Sequence, residues 1–268
     1  MAKKEGKKRR IITELFTRLK PEDERLDVIN FNTPQVREIC VKYAFVNQFD
    51  ATKFDTYERL PQALKDEGYF IIHLGRGNHA FVSGTGYHDL EDVDEVKPWK
   101  LRGSMLDEIG ASEASAFSTL YNERILHDFL CGRRDADLRI HNSRRSKFSF
   151  HFKIGKYDFY PDQLQLEIDG FVEGKDVIAP IEVKRGTRTN FEIRQLFTAM
   201  KYFEKFQREK VIPPKFSLRY IYANMVKSKK QSYARLHEYR FKNSLDFNSI
   251  EFVRAVQYNM LGASTLPL

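Results

Sequence analysis

Residues 163–186 read QLQLEIDGFVEGKDVIAPIEVKRG, and the prediction of the fold starts from this stretch. Apolar residues alternate with polar residues over 164–168, and again over 177–183. Alternation with a period of two is typical of half-buried strands. Between the two runs, residues 174–176 are Gly-Lys-Asp, which are common turn residues. The stretch therefore predicts a β-hairpin with one apolar face and one polar face.

The polar face of this hairpin collects four charged residues. With the turn centred on residues 175–176, opposite residues have numbers that sum to 351, so Asp169 faces Glu182 and Glu167 faces Lys184. A tighter turn gives a sum of 349 and keeps the four on one face, in diagonal contact. A slip of one residue would instead move the two pairs to opposite faces of the sheet.

Three carboxylates on one sheet face repel each other unless positive charge lies among them. Lys184 supplies one such charge, and a hard divalent cation, which prefers oxygen ligands, would supply the rest. A bound cation lowers the pKa of its water and stabilises charge on phosphoryl oxygens. A neighbouring lysine can hold that water or help to deprotonate it. The pattern favours phosphodiester hydrolysis over an exposed hairpin whose charges form only salt bridges.

Asp169 followed by Glu182-Val183-Lys184 resembles the active-site motif of the PD-(D/E)XK nuclease superfamily, and the whole chain resembles a type II restriction endonuclease. The resemblance implies that Asp169 and Glu182 bind the metal, that Val183 lends its backbone carbonyl, and that Lys184 is the catalytic lysine. Glu167 is a further candidate ligand. The cofactor implied is Mg²⁺, with Mn²⁺ as a substitute.

The same resemblance implies the reaction and the partners. We expect sequence-specific cleavage of double-stranded DNA to 5′-phosphate and 3′-hydroxyl ends, by a homodimer with two active sites. The alternatives are a repair, recombination or junction-resolving nuclease with the same core, a DNA-binding protein without catalysis, and an RNA-directed protein.

A second aspartate competes for the motif position. Pro161-Asp162 is a literal Pro-Asp pair, and the superfamily tolerates a wide gap before the Glu-x-Lys element. In the register in which the numbers of opposite residues sum to 351, Asp162 would face residue 189. That residue lies past Gly186 and beyond the end of the strand. The geometry favours Asp169, and Asp162 is the alternative.

Composition agrees with a nucleic-acid partner. The 268 residues are 41% hydrophobic and 13% aromatic, which is enough for a packed core. The net charge of +8 favours a polyanionic partner, with nucleic acid ahead of a membrane surface. The two cysteines, Cys40 and Cys131, form neither a zinc motif nor a disulfide framework. No apolar run is long enough to span a bilayer, so we expect a cytoplasmic protein without a membrane partner.

Residues 1–100 are predicted to form an N-terminal, mainly helical DNA-recognition region. The patterns predict helices over 11–19, from Thr33 to about residue 48, and over 57–67, followed by a hairpin over 69–82. Helices followed by a hairpin resemble a winged helix, with Arg76 at the tip of the wing. Residues 83–111 read as a linker.

Residues 101–268 are predicted to form the nuclease core. From residue 112 the patterns give a helix to about residue 130, three strands, a helix to about Lys210, two strands and a closing helix over 248–261. This order agrees with the α/β core of the superfamily, a mixed sheet with helices on both faces. In that superfamily the helix before the sheet often offers a glutamate to the metal, and Glu123 is the candidate here; an exposed helical carboxylate is the alternative.

Basic side chains near these elements are the candidates for contacts with DNA phosphates. The predicted DNA-binding residues are Arg76, Arg133, Arg134, Arg144, Arg145, Lys147, Arg185, Lys229 and Lys230.

Overall fold

The computed structural model of the chain describes residues 6–21, 24–102, 112–142, 145–228 and 231–261. The described fold is mixed α/β. Its six helices are α1 (Lys7–Leu19), α2 (Thr33–Lys42), α3 (Gln62–Glu67), α4 (Glu113–Asn122), α5 (Ile125–Cys131) and α6 (Arg194–Arg208). None of these helices is long and apolar enough to cross a membrane.

An N-terminal unit contains α1 to α3 and a three-stranded antiparallel sheet. Its strands are β1 (Val28–Asn32), β2 (Tyr69–Gly75) and β3 (Asn78–Ser83), with β3 in the middle. One face of this sheet packs on the helices, and the other packs on the rest of the chain through residues such as Phe70 and Val82. The predicted hairpin over 69–82 is confirmed. The predicted helix over 57–67 is interrupted at Pro61, which lacks the N–H that a continuing helix needs.

A large mixed sheet forms the centre of the remaining chain. Its strands, in spatial order, are β5 (Glu95–Lys100), β17 (Ile250–Leu261), β16 (Ser232–Phe241), β15 (Tyr220–Lys227), β12 (Val177–Arg185), β11 (Gly170–Glu173) and β6 (Arg139–Asn142). The short β14 (Ser217–Leu218) also pairs with β12. The pairs β12–β15, β12–β14 and β17–β5 are parallel and the other pairs in the sheet are antiparallel. Helices α4 and α5 pack on one face and α6 packs on the other, which gives three layers.

Short strand pairs surround this sheet. They join β4 (Tyr87–Asp89) to β13 (Asn190–Glu192), β7 (Arg145–Phe148) to β10 (Leu164–Glu167), and β8 (Phe152–Ile154) to β9 (Tyr157–Phe159). The predicted single strand over 148–154 is therefore two strands. The predicted linker over 83–111 contains β4 and β5, and β5 places residues 95–100 in the large sheet.

Two further helix predictions need correction. Residues 250–261 form strand β17, not a helix, because the apolar residues at 250, 252, 256, 258 and 260 follow a period of two and pair between β16 and β5. The predicted helix over 112–130 breaks at Arg124, whose φ of 63° lies in the left-handed region, and so gives α4 and α5.

The hairpin over 163–186 has the predicted register but a shorter first strand. Gly170 pairs with Ile181, so opposite residues sum to 351 as predicted. The first strand breaks after Glu167, and β10 leaves the large sheet to pair with β7. Glu167 is consequently not opposite Lys184, as the sequence predicted, but opposite Arg145.

Candidate active site

The candidate active site lies at the C-terminal end of β12, next to the break between β10 and β11. Oδ2 of Asp169 accepts a 2.8 Å hydrogen bond from the backbone N–H of Val183, which holds the aspartate beside the strand. Glu182 and Lys184 are both buried and share one face of β12. The structure thus brings Asp169, Glu182 and Lys184 together.

The ammonium group of Lys184 lies between two carboxylates. Its Nζ is 2.7 Å from Oε1 of Glu182 and 3.1 Å from Oε1 of Glu113, and its side chain is only 8% exposed. Glu113 is in the first turn of α4 and was not predicted from the sequence. The available signal was the capping box of Ser112 and Ser115, which places the start of the helix beside Glu113.

The prediction that Glu123 offers the helix glutamate is corrected by its position. Glu123 follows the last turn of α4, ten residues or about 15 Å along the axis from Glu113. It is buried, and its Oε2 accepts a hydrogen bond from the backbone N–H of Arg102, which follows edge strand β5. The Glu123 carboxylate therefore binds a backbone group next to β5 and not the side chains at the end of β12.

The two other acidic candidates also lie apart from Lys184. Glu167 is half exposed and lies 3.6 Å from Nζ of Lys53 in the N-terminal unit. Asp162 is half exposed, forms a 2.8 Å ion pair with Arg76 and accepts a hydrogen bond from Ser149. These contacts hold Asp162 against the tip of the β2–β3 hairpin, so it does not accompany Glu182 and Lys184.

Burial and mutual repulsion change the protonation of the cluster. Burial raises the pKa of Glu182 to about 7, although Lys184 opposes the shift. Burial also raises the pKa of Asp169, again against the effect of Lys184. Burial alone would lower the pKa of Lys184, but the carboxylates of Glu182, Asp169 and Glu113 together raise it. Lys184 therefore stays charged at neutral pH, while Glu182 is only partly ionised.

Three buried polar atoms near Glu182 and Lys184 have no hydrogen-bond partner among the described residues. Gln195, in the first turn of α6, donates a 2.6 Å hydrogen bond from Nε2 to Oε1 of Glu182. Its Oε1 is buried and has no hydrogen-bond partner among the described residues. The same holds for the Tyr222 hydroxyl and for Oδ1 of Asn224, which are the neighbours of Glu182 and Lys184 on β15. The face can therefore bind further polar groups without losing existing bonds.

The oxygen donors of this cluster suit a hard cation by their chemistry. Within the described residues, no three His, Cys, Asp or Glu side chains stand in a metal-binding geometry. Lys184 instead provides the positive charge among Glu113, Asp169 and Glu182. One lysine against three carboxylates leaves negative charge beside the buried Glu182, which agrees with its raised pKa. Carboxylate oxygens are also the ligands that Mg²⁺ prefers.

The N-terminal unit is joined to the segment that follows β12. Asn190, which is buried, accepts a hydrogen bond from the backbone N–H of Tyr57 and donates one to the Glu58 carboxylate. The Thr189 hydroxyl donates to the same carboxylate. Residues 53–59 of the N-terminal unit consequently border the site.

Those predicted DNA-binding residues that the structure describes do not form one surface. Arg185 ends β12 directly after Lys184, Lys147 is exposed on β7, and Arg145 starts β7. Arg76 is paired with Asp162, and Arg134 stacks on Trp99, with its guanidinium carbon 3.5 Å from the ring centroid. Arg133 lies at the opposite end of β12, beside the hairpin turn. Arg144, Lys229 and Lys230 lie outside the described residues.

Comparison with protein families gives two matches. The model described as domain of unknown function DUF6997 matches residues 82–259, and the one described as domain of unknown function DUF6996 matches residues 10–81. No curated protein and no solved structure matches the chain.

Proposed function

The chain belongs to the family described as domain of unknown function DUF6997, and we propose that it is a Mg²⁺-dependent endonuclease that cuts double-stranded DNA. The observation that carries the proposal is the convergence of Asp169, Glu182 and Lys184 at the end of one buried strand. The proposal is a PD-(D/E)XK nuclease of the type II restriction class. In its support, the order β6, β11, β12, β15 along the sheet, with helices on both faces, is the arrangement expected of such a core.

Asp169, Glu182 and the backbone carbonyl of Val183 would hold the cation, with Glu113 as an additional carboxylate. Once bound, Mg²⁺ would supply charge stabilisation at the phosphoryl oxygens and lower the pKa of a bound water. Glu182 must lose its proton to act as a ligand, so cation binding and proton release are linked in this protein.

Lys184 would act as a charged hydrogen-bond donor and not as a base. Its raised pKa keeps the ammonium protonated at the pH of the reaction. With Glu182 and Glu113 engaged by the cation, the Nζ donors of Lys184 would orient the attacking water and bind the developing negative charge. Gln195 would keep the Glu182 carboxylate in place through its 2.6 Å hydrogen bond.

The N-terminal unit would contribute DNA recognition. Its chain order is helix, strand, helix, helix, strand, strand, and its sheet order is β1-β3-β2, which is the topology of a winged helix. The tip of its hairpin is docked on the core: a Cβ on Gly75 would lie 2.0 Å from the carbonyl oxygen of Asp162. We therefore propose that DNA lies across the surface that residues 53–59 and the end of β12 form together, where Arg185 and Arg188 follow Lys184.

Incubation with bacteriophage DNA tests the proposal directly. We expect discrete bands with Mg²⁺ or Mn²⁺ and intact DNA in EDTA, because cleavage depends on the cation. Ends that ligate without treatment would carry the expected 5′-phosphate and 3′-hydroxyl groups. Cleavage in EDTA would contradict the dependence on a cation. A smear that never resolves into bands would contradict sequence-specific cleavage.

Two binding measurements complete the test. The affinity for DNA should fall with salt by about 0.9 log units per neutralised phosphate for each decade of salt concentration. Light scattering in the presence of a cleaved or Ca²⁺-bound duplex should give the mass of two chains per DNA, since cutting both strands requires two active sites. A single chain per duplex would contradict the homodimer.

A further inference from the structure

A cavity lies at the opposite end of β12 from Lys184. It has a volume of about 900 Å³ and is bounded by the β11–β12 turn, the end of α5, the segment that leads to β6, and β14. Val177 of its wall and Lys184 are seven residues apart on one strand, a distance of roughly 23 Å. Such a volume lies within the usual range of roughly 300–1,000 Å³ for small-molecule sites. The cavity is thus separate from the candidate active site.

The basic residues of the cavity differ in whether they already have partners in the protein. Arg219 is held by a bidentate contact with Glu238 and by the Leu130 carbonyl, so it is part of the structure. Arg139, Lys175 and Lys215 are exposed, and none of them forms an ion pair with a described residue at 4.0 Å or less. These three cations are therefore available to an anionic ligand.

The rest of the lining is not suited to a bare anion. Asp137 and Asp176 also face the cavity and would repel phosphate, but they can accept hydrogen bonds from hydroxyl and amino groups. Leu130, Val177 and the half-buried ring of Phe216 provide an apolar surface, against which a flat heterocycle can pack. A ligand that matches all three features carries phosphate, hydroxyl groups and an aromatic base.

We propose that this cavity is a binding site for a nucleoside phosphate. Lys175 and Lys215 bind the phosphate groups, Asp137 or Asp176 accepts hydrogen bonds from the ribose or the base, and the base packs near Phe216. The site does not depend on the proposed nuclease activity, because it shares no residue with the cluster around Lys184.

The chain contains its own reporter for this site. Cys131 lines the cavity and is exposed, whereas Cys40 is buried at 2% exposure. Partial burial of its sulfur in the cavity wall raises the pKa of Cys131, so alkylation by iodoacetamide will be slow but measurable at alkaline pH. The rate of modification of Cys131, followed by peptide mass spectrometry, reports on whether the cavity is occupied.

The experiment compares ATP, inorganic triphosphate and a DNA duplex as protecting agents on the full chain. With ATP at ten times its Kd, the alkylation rate of Cys131 should fall roughly tenfold, because only about a tenth of the sites stay free. Triphosphate should protect less at equal concentration, since it lacks the base and ribose. Equal protection by triphosphate would overturn the nucleoside part, and protection by the duplex alone would make the cavity a DNA contact instead.

Two variants and a control separate binding from folding. Lys175→Ala and Lys215→Ala each remove one exposed cation, so we expect about tenfold weaker protection by ATP with an unchanged melting temperature. Lys156→Ala removes a lysine that is 75% exposed and lies outside the cavity, and it should leave protection unchanged. The proposal is wrong if ATP fails to protect the wild-type protein or protects all three variants equally. The alkylation measurement does not depend on DNA cleavage, so it tests the cavity even if the protein is not a nuclease.

Discussion

The backbone N–H of Val183 donates a 2.8 Å hydrogen bond to Oδ2 of Asp169, although the two residues are 14 positions apart in the chain. Residues 170–173 pair with β12, but Asp169 comes just before that pairing starts. The side chain therefore replaces a strand neighbour at this point of β12. The bond brings the aspartate of the motif next to Glu182 and Lys184, which lie on either side of Val183 in sequence.

Lys184→Ala should abolish most DNA cleavage while the protein stays folded. Loss of a donor that acts on the transition state should reduce kcat by about a hundredfold or more. Removing one partner of a buried ion pair can cost about 3–5 kcal/mol. The cost here should be smaller, because Glu182 already has a pKa of about 7 and takes up a proton when the lysine is lost.

Cleavage assays measure the loss of activity, circular dichroism measures folding, and binding in Ca²⁺ measures the affinity for DNA. Lys156→Ala serves as the control for the loss of a positive charge. A Lys184→Ala protein that cuts DNA at the wild-type rate would show that the end of β12 is not the active site.

Asp169→Asn should reduce cleavage, whereas Asp162→Asn should leave it nearly unchanged. The amide oxygen of asparagine can still accept the hydrogen bond from Val183, so Asp169→Asn keeps the fold but lacks the charge needed to bind a cation. Asp162→Asn weakens only a half-exposed ion pair with Arg76, worth about 1 kcal/mol or less. Cation affinity by calorimetry and cleavage rate should fall only for Asp169→Asn; the reverse outcome would make Asp162 the motif residue.

Glu113→Gln and Glu123→Gln test which glutamate of the α4 region serves the site. Glu113→Gln removes a charge 3.1 Å from Lys184, so we expect cleavage to fall about tenfold and the pKa of Glu182 to decrease. Glu123→Gln keeps an oxygen that can accept from the Arg102 N–H, so cleavage should stay within about twofold of wild type. Equal loss of cleavage in both variants would argue against the role of Glu113.

Acid should destabilise the N-terminal unit through a histidine pair. Nδ1 of His73 and Nδ1 of His79 lie 2.8 Å apart, so one ring must donate and the other must accept. Burial, assisted by the charge of Arg194, lowers the pKa of His73 well below its usual range and lowers that of His79 to about 4. Lys53, Lys8 and the partner imidazole add to the shift of His73.

The sign of the effect follows from the protons bound. Between about pH 6.5 and pH 4 the unfolded chain binds protons at these histidines that the folded chain does not, so the free energy of unfolding falls as the pH falls. Each histidine contributes up to about 1.4 kcal/mol per pH unit. The raised pKa of Glu182 acts in the opposite direction in the same range and offsets part of the effect.

Urea unfolding at pH 7 and pH 5 isolates the histidine contribution when variants are compared. His79→Asn should reduce the loss of stability between the two pH values, and His151→Asn, at a surface ion pair with Asp158, is the matched replacement of a histidine outside the pair. An identical pH dependence of wild type and His79→Asn would mean that the pair does not titrate in this range.

The sequence determined the local parts of the site. Alternating hydrophobicity and turn residues fixed the β11–β12 hairpin and its register, and the register put Asp169 beside Glu182. These signals are reliable because strand period and turn chemistry act between residues that are close in the chain. The N-terminal hairpin was predictable for the same reason.

Only the tertiary structure decided which distant residues complete the site. Glu113 reaches Lys184 because α4 packs its first turn, and not its last, against the end of β12, and no local pattern encodes that approach. The departure of β10 to pair with β7 likewise removed Glu167 from the cluster. Strand β17 looked helical because its apolar residues gain their partners, β16 and β5, only in the folded sheet. These contacts form between residues that are distant in the chain. Propensity and periodicity describe only residues that are close in the chain, so they do not predict such contacts.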